Sequence, residues 1–236
     1  MGSQMGFTGR IGNVIHYKMG DKFYSRSLPR KYKQTKGTKA KSSEFGMAST
    51  IGRVIRENLK SVIFDKADRT MQTRLVGEIY SWLQYARHQP ASAATQPTLD
   101  RFRLSSESPA LSARWNVKFV VSRPISSQIQ VTIPSFIPKS SFKSPAGTTA
   151  VVCRIASVVI NVENKKEIGN AQNEISYTLD QKKVPAQNII QKLPMPAGSL
   201  LVTGMCLEYY AVRHKNTVST NDKLFKPSQI IYAVYS

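Results

Sequence analysis

Apolar residues recur along the chain with two different periods, and the change between them divides it. From about Ser43, the residues Phe45, Ala48, Ile51, Ile55, Leu59 and Val62 follow at steps of three and four, which lines one face of an α-helix. A second stripe, Met71, Leu75, Ile79, Trp82, Leu83 and Ala86, closes before Pro90. The short connection 65–69 predicts that the two segments form an antiparallel helical hairpin. Two helices alone bury too little, so their shared stripe is expected to pack on the N-terminal hairpin, on the later sheet or on a neighbouring subunit.

Beyond residue 110 the period becomes two. Trp115, Val117 and Phe119 alternate with Asn116 and Lys118, and Ile129, Val131 and Ile133 alternate with Gln130 and Thr132. Further β-prone runs lie at 150–162, 175–179, 189–193, 200–212 and 230–235. Pro134, Pro138, Pro145-Ala146-Gly147, Asn164-Lys165, residues 194–198 and Asn221-Asp222 punctuate them. About seven strands with no crossover helix predict an antiparallel β-sandwich. Trp115, Tyr209 and Tyr210 are expected to be its core or edge aromatics. Residues 90–110, rich in Ala, Ser, Thr, Gln and Pro, read as a linker or a long surface loop.

At the N-terminal end, β-prone residues 14–18 and 22–26 flank Gly20-Asp21, the pattern of a β-hairpin. Gly6, Gly9 and Gly12 precede it, but without the strand-before, helix-after context and the Lys-Ser/Thr of a phosphate loop. After Pro29, residues 30–41 hold no apolar side chain but Tyr32 and Ala40, so they must be solvated or held by a partner. The expected fold class is α+β: a basic N-terminal β-hairpin arm (1–41), a helical hairpin (42–89), a linker (90–110) and an antiparallel β-sandwich (111–236).

Charge sharpens this division. The 236 residues carry 34 Lys and Arg against 14 Asp and Glu, a formal +20. Residues 1–41 hold ten of those cations and one acid, Asp21, a net of +9. Residues 42–115 carry +3 and the remainder +8. Hydrophobic content of 41% excludes a mainly disordered chain. No apolar run approaches the roughly 20 residues of a membrane span. The first residues lack the apolar core of a secretory signal, and Gly6 stands where a myristoylation pattern wants Ser or Thr. The cytoplasm is therefore the expected compartment.

Catalytic chemistry finds little support. Glu163, Glu167, Glu174, Asp180, Glu208 and Asp222 are the acids of the last block, and they fall mostly in turns or on outward positions. His16, His88 and His214 are far apart and lack partners at metal-ligand spacing. No nucleophile elbow, zinc-protease or dinucleotide motif occurs in context. The expectation is a non-enzyme without metal or cofactor. Cys153 and Cys206 are each expected to be small core residues, with a disulfide left open.

Polyanion contact is the chemistry the residues favour. Arg10, Lys18, Lys22, Arg26, Arg30, Lys31, Lys33, Lys36, Lys39 and Lys41 are interleaved with Tyr17, Tyr24 and Tyr32 and with Ser and Thr hydroxyls. Arg gives bidentate phosphate contacts, Lys gives point charge, and aromatic rings stack on unpaired bases. Without a helix-turn-helix, zinc finger or RNP signature, binding is expected to be driven by the phosphate backbone. The expected partner is nucleic acid or another polyanion, within a self-associating or larger assembly. The rival is a self-assembling structural subunit of fibre, capsid or tail type. Its hairpin arm would pair with a neighbouring subunit without nucleic acid.

The motif Gly9-Arg10-Ile11-Gly12-Asn13-Val14, then Tyr17-Lys18-x-Gly20-x-Lys22 and Arg26-Ser27-x-Pro29, precedes Phe45-Gly46-x-Ala48-Ser49 and Arg53-x-x-Arg56. This opening resembles an uncharacterised family of hypothetical proteins from Bacteroidota, which has no known activity. In that family a Gly-rich hairpin precedes a helical segment and a variable β-rich end. The resemblance covers the first 60 to 90 residues, and residues 33–41 are more basic than the family's pattern. It implies an arm joined to a changeable sandwich, an arrangement suited to assembly or docking.

Overall fold

A computed structural model describes residues 7–28, 35–63, 65, 67–87, 97–213, 216–219 and 222–236. The chain divides into two compact units, Met1–Lys41 and Ser42–Ser236. The first carries strands β1 (Gly9–Ile11), β2 (Val14–Met19) and β3 (Lys22–Ser27) in one antiparallel sheet of that order. Helices α1 (Lys36–Asn58), α2 (Lys60–Ile63) and α3 (Met71–Arg87) follow, with short helices α4 (Leu111–Arg114) and α5 (Pro138–Ser141) further on. Strands β4 (Val120–Ser122), β5 (Gln128–Ile133) and β8 (Gln187–Lys192) form a three-stranded sheet. A larger sheet runs β10 (Asn216–Ser219), β9 (Ser199–Arg213), β6 (Thr148–Asn161) and β7 (Lys166–Thr178), with β11 (Ser228–Tyr235) also on β9. All pairings are antiparallel, which makes this an α+β protein with a sheet-rich body.

Strand alternation organises the body. In β6, Ala156, Val158 and Ile160 join Leu200, Val202 and Cys206 of β9 in one core with the helices. The opposite face of the same strands sends Val151, Cys153, Ile155, Met205, Leu207 and Tyr209 into a second core with Val131, Ile133 and Ile189 of the smaller sheet. The large sheet is thus covered by helices on one face and by a second sheet on the other. Cys153 and Cys206 sit on adjacent strands but in these two different cores, and both are buried and outside any disulfide. Between the sheets, Trp115 packs against Phe142 and Phe119 at ring separations of 5.4 and 5.8 Å.

The helical stripe is seen as Ala48, Ile51, Ile55, Leu59 and Val62, all fully buried. Phe45 departs from it: its ring is exposed and meets Tyr80 edge-on at 6.0 Å. Glu44 bonds Gln84, Phe45 meets Tyr80, and Gly52 lies against Val76, so α1 and α3 run antiparallel. The helix begins at Lys36 rather than Ser43. Thr35 supplies the start by accepting a hydrogen bond from the Thr38 N–H at 3.1 Å. Residues 36–41, expected to be solvated or held by a partner and assigned to no helix, are helical and exposed.

Three further expectations change. Residues 115–119 are not a strand; Trp115 makes one bridge to Phe142, and the strand comes later, at β4. Strand β7 extends well beyond 175–179, because an edge strand with one exposed face carries polar residues such as Asn170, Gln172 and Glu174. Residues 97–110 are no free linker. Leu99 and Leu104 are fully buried, and the Arg101 and Leu104 N–H groups donate to Ile230 and Ser228 carbonyls at 2.9 Å. Their Pro- and Ser-rich composition hides two core leucines and a partial strand pairing. Of the linker, residues 90–96 lie outside the described ones.

Asp68 ties this strap to the helices. Its carboxylate accepts from the Thr70 N–H and hydroxyl at 2.8 Å, from Arg74 at 2.7 Å and from the Ser106 N–H at 2.6 Å. Burial alone raises the Asp68 pKa, but the hydrogen bonds from Ser106, Thr70 and Arg74 outweigh it and hold the carboxyl well below the usual range. A depressed carboxylate stabilises the fold above its unfolded pKa of about 3.9, and that contribution fades as pH falls towards the folded value. Asp68→Asn is expected to cost about 1–2 kcal/mol at neutral pH. In urea titrations the gap from wild type should narrow at about pH 3. An equal gap at both pH values would assign Asp68 no charge-dependent role.

Candidate nucleic-acid interface

Two tight turns build the arm. Ile11 pairs with Val14 around Gly12-Asn13, and Met19 pairs with Lys22 around Gly20-Asp21. Each two-residue loop opens on a glycine in the left-handed region, Gly12 at φ 58° and Gly20 at φ 63°. The second turn is the one expected from sequence. The first adds a third strand that the expected hairpin lacked, and Gly12-Asn13 between Ile11 and Val14 is its signature in the chain.

Register sorts the side chains onto two faces, because partners directly across an antiparallel ladder point the same way. One face carries the rows Arg10–Ile15–Arg26, Tyr17–Tyr24 and Met19–Lys22. The other carries Ile11–Val14–Ser27, Gly9–His16–Ser25 and Lys18–Phe23. Three cations and two tyrosines thus share one small surface, with no carboxylate among them.

Local contacts order that surface. The Tyr17 and Tyr24 rings stack at 5.8 Å with planes 24° apart, and the Arg26 guanidinium lies 5.7 Å from the Tyr17 ring centre. Both rings remain more than a third exposed, Tyr17 at 37% and Tyr24 at 38%. Arg10 donates from Nε to the Gly12 carbonyl at 3.0 Å, bracing its side chain against the first turn. On the opposite face His16 and Ser25 hydrogen bond at 2.7 Å, and Phe7 meets the His16 ring at 6.0 Å.

The expected site residues therefore separate. Arg10, Tyr17, Lys22, Tyr24 and Arg26 come together. Lys18 does not; it projects from the other face, 5.6 Å from the Phe23 ring. Lys36, Lys39 and Lys41 are exposed on the opening turns of α1. Arg30, Lys31, Tyr32 and Lys33 lie outside the described residues. Sequence inspection missed Ile15 and Met19, which share the cationic face.

In the body some cations are paired. Arg154 joins Glu174 at 2.7 Å and also bonds Glu208, while Lys226 is paired with Asp65. Among the described residues no three His, Cys, Asp or Glu side chains gather as a metal site. None of the described helices is long and apolar enough to cross a membrane. No protein-family model matches the chain, and no curated protein matches it.

The arm's surface depends on its turns. Gly20→Val forces a β-branched residue into the left-handed region, at a cost of about 1–2 kcal/mol. A three-stranded sheet is near the lower limit of independent stability. The variant should lose the strand-like amide shifts of residues 14–27 in NMR spectra while the thermal transition of the body stays in place. Retention of those shifts would show that the turn tolerates the side chain.

Proposed function

We propose that the protein is a non-enzymatic assembly or structural protein whose basic arm binds a polyanion, nucleic acid first, through its phosphate backbone. The observation that carries this reading is the register of β1, β2 and β3, which gathers Arg10, Lys22 and Arg26 around Tyr17 and Tyr24. Cations aligned on one face of a sheet can meet successive phosphates together, and the Arg side chains add bidentate hydrogen bonds.

Helix α1 supports the same reading. Its first turn holds Lys36 and Lys39 and no acid, so cations stand where the helix macrodipole is already positive. A bound anion relieves that repulsion. The likeness of Gly9-Arg10-Ile11-Gly12-Asn13-Val14 to the Bacteroidota family also favours the arm as the working part.

A second reading, a self-assembling subunit, is favoured by the opposite face of the arm, where Phe7, Ile11 and Phe23 are exposed. Strands β1 and β3 are also sheet edges with one side open to pairing. Under that reading light scattering shows concentration-dependent association of the full chain without any polyanion.

Binding to mixed-sequence DNA decides the first reading. Engagement of three to six cations gives a log–log salt slope of about −3 to −5. Lys22→Glu with Arg26→Glu should flatten that slope by about 2 and weaken binding for every sequence alike. Removing residues 1–34, which leaves α1 whole, should abolish binding. A salt-independent affinity, or one unaffected by the charge reversal, would remove the arm from the interface.

A further inference from the structure

We infer that the cationic face of the arm takes single-stranded nucleic acid, with unpaired bases stacking on the Tyr17–Tyr24 pair. The inference rests on the polyanion reading above and narrows it to one class of ligand. Its ground is the order of the rows on that face. Arg10 and Arg26 form one cationic row, Tyr17 and Tyr24 the middle row, and Lys22 the third. Successive rows on one face of a strand are about 6.8 Å apart. A single strand crossing the rows meets charge, then aromatic rings, then charge again.

A duplex has no use for the middle row, since its base faces are buried in its own stack and only phosphates and groove edges reach a flat sheet. Unpaired bases present their faces, and stacking on aromatic rings tolerates any sequence. The rings are already positioned for this. They are held in offset contact at 5.8 Å, fixed across one ladder pair, and left more than a third exposed. Arg26 beside Tyr17 adds a guanidinium plane that can itself stack on a base or bond a phosphate. The Tyr17–Tyr24 contact also supports the hairpin itself, but a cross-strand aromatic pair alone does not call for cationic rows on both sides of it.

The test compares the full chain on four fluorescent ligands of equal length at one salt concentration: a mixed-sequence single strand, its duplex, an abasic single strand and inorganic polyphosphate. The single strand is expected to bind at least about tenfold more tightly than the abasic strand, whose charge is the same but which lacks bases. Tyr17→Ala with Tyr24→Ala should erase that difference while leaving the salt slope unchanged. Tyr17→Phe with Tyr24→Phe should retain it, because stacking needs the ring and not the hydroxyl. Since the abasic comparison uses the unaltered protein, a variant that fails to fold does not obscure the result.

Equal affinity for the base-bearing and abasic strands overturns base stacking and leaves the polyanion reading standing. Tighter binding to duplex than to single strand overturns it as well. Failure to bind any of the four ligands overturns the polyanion reading together with this one.

Discussion

The ladder between β6 and β9 is the interaction on which the body depends. It runs from Thr148 opposite Ala211 to Asn161 opposite Ser199, with a single register shift between Thr148 and Ala150. Every core residue on these strands owes its environment to that register. A slip of β6 by one residue would send Val158 towards the small sheet and Ile155 towards the helices. Ser157 and Thr203 mark the alignment inside the sheet, since their hydroxyls hydrogen bond at 2.8 Å where both are fully buried. Misaligned, each would be a buried polar group without a partner, which costs about 1–3 kcal/mol. Two apolar cores and one polar latch therefore specify the same pairing.

This explains which parts of the fold are legible in the sequence. Both faces of β6 and β9 are buried, so they read as long apolar runs, and the helical stripe repeats cleanly from Ala48 to Val62. Edge elements are less legible, because β7 needs only one apolar face and its first nine residues include a single β-prone side chain, Ile168. The strap through Leu99 and Leu104 escapes composition altogether. Its order comes from backbone pairing with β11 and from Asp68, which lies 38 residues from its partner Ser106. Long-range hydrogen bonds of that kind leave no local pattern. The opening of α1 escapes for the opposite reason, since Thr35 caps a turn whose lysines carry no apolar period.

The candidate site divides along the same line. Residue types and their interleaving are visible in the chain, and the Gly20-Asp21 turn gives the β2–β3 register outright. Which cations share a face depends on that register and on a further strand. Lys18 and Lys22 look equivalent in sequence, yet their positions in the ladder place them on opposite sides of the sheet. Arg10 joins the face only because Gly12 permits a second turn and lays β1 beside β2. A count of basic residues treats these three alike, whereas strand parity does not.

Charge also has a different standing in the two units. In the body, three cations are drawn into pairs with acids: Arg74 with Asp68, Arg154 with Glu174 and Glu208, and Lys226 with Asp65. The first 41 residues have ten cations and a single acid, so internal pairing can satisfy at most a small part of their charge. Exposed cations at this density repel one another, and screening by salt weakens that repulsion without removing it. A fold that holds Arg10, Lys22 and Arg26 on one face keeps this repulsion in place instead of letting the side chains spread. Such an arrangement is stable because the strand ladder and the Tyr17–Tyr24 contact fix it, and it becomes favourable electrostatically when an anion lies across it. Of the formal +20, the +9 of residues 1–41 is thus partly ordered by strand parity, which sets Arg10, Lys22 and Arg26 on one face, while the remaining +11 is spread along residues 42–236.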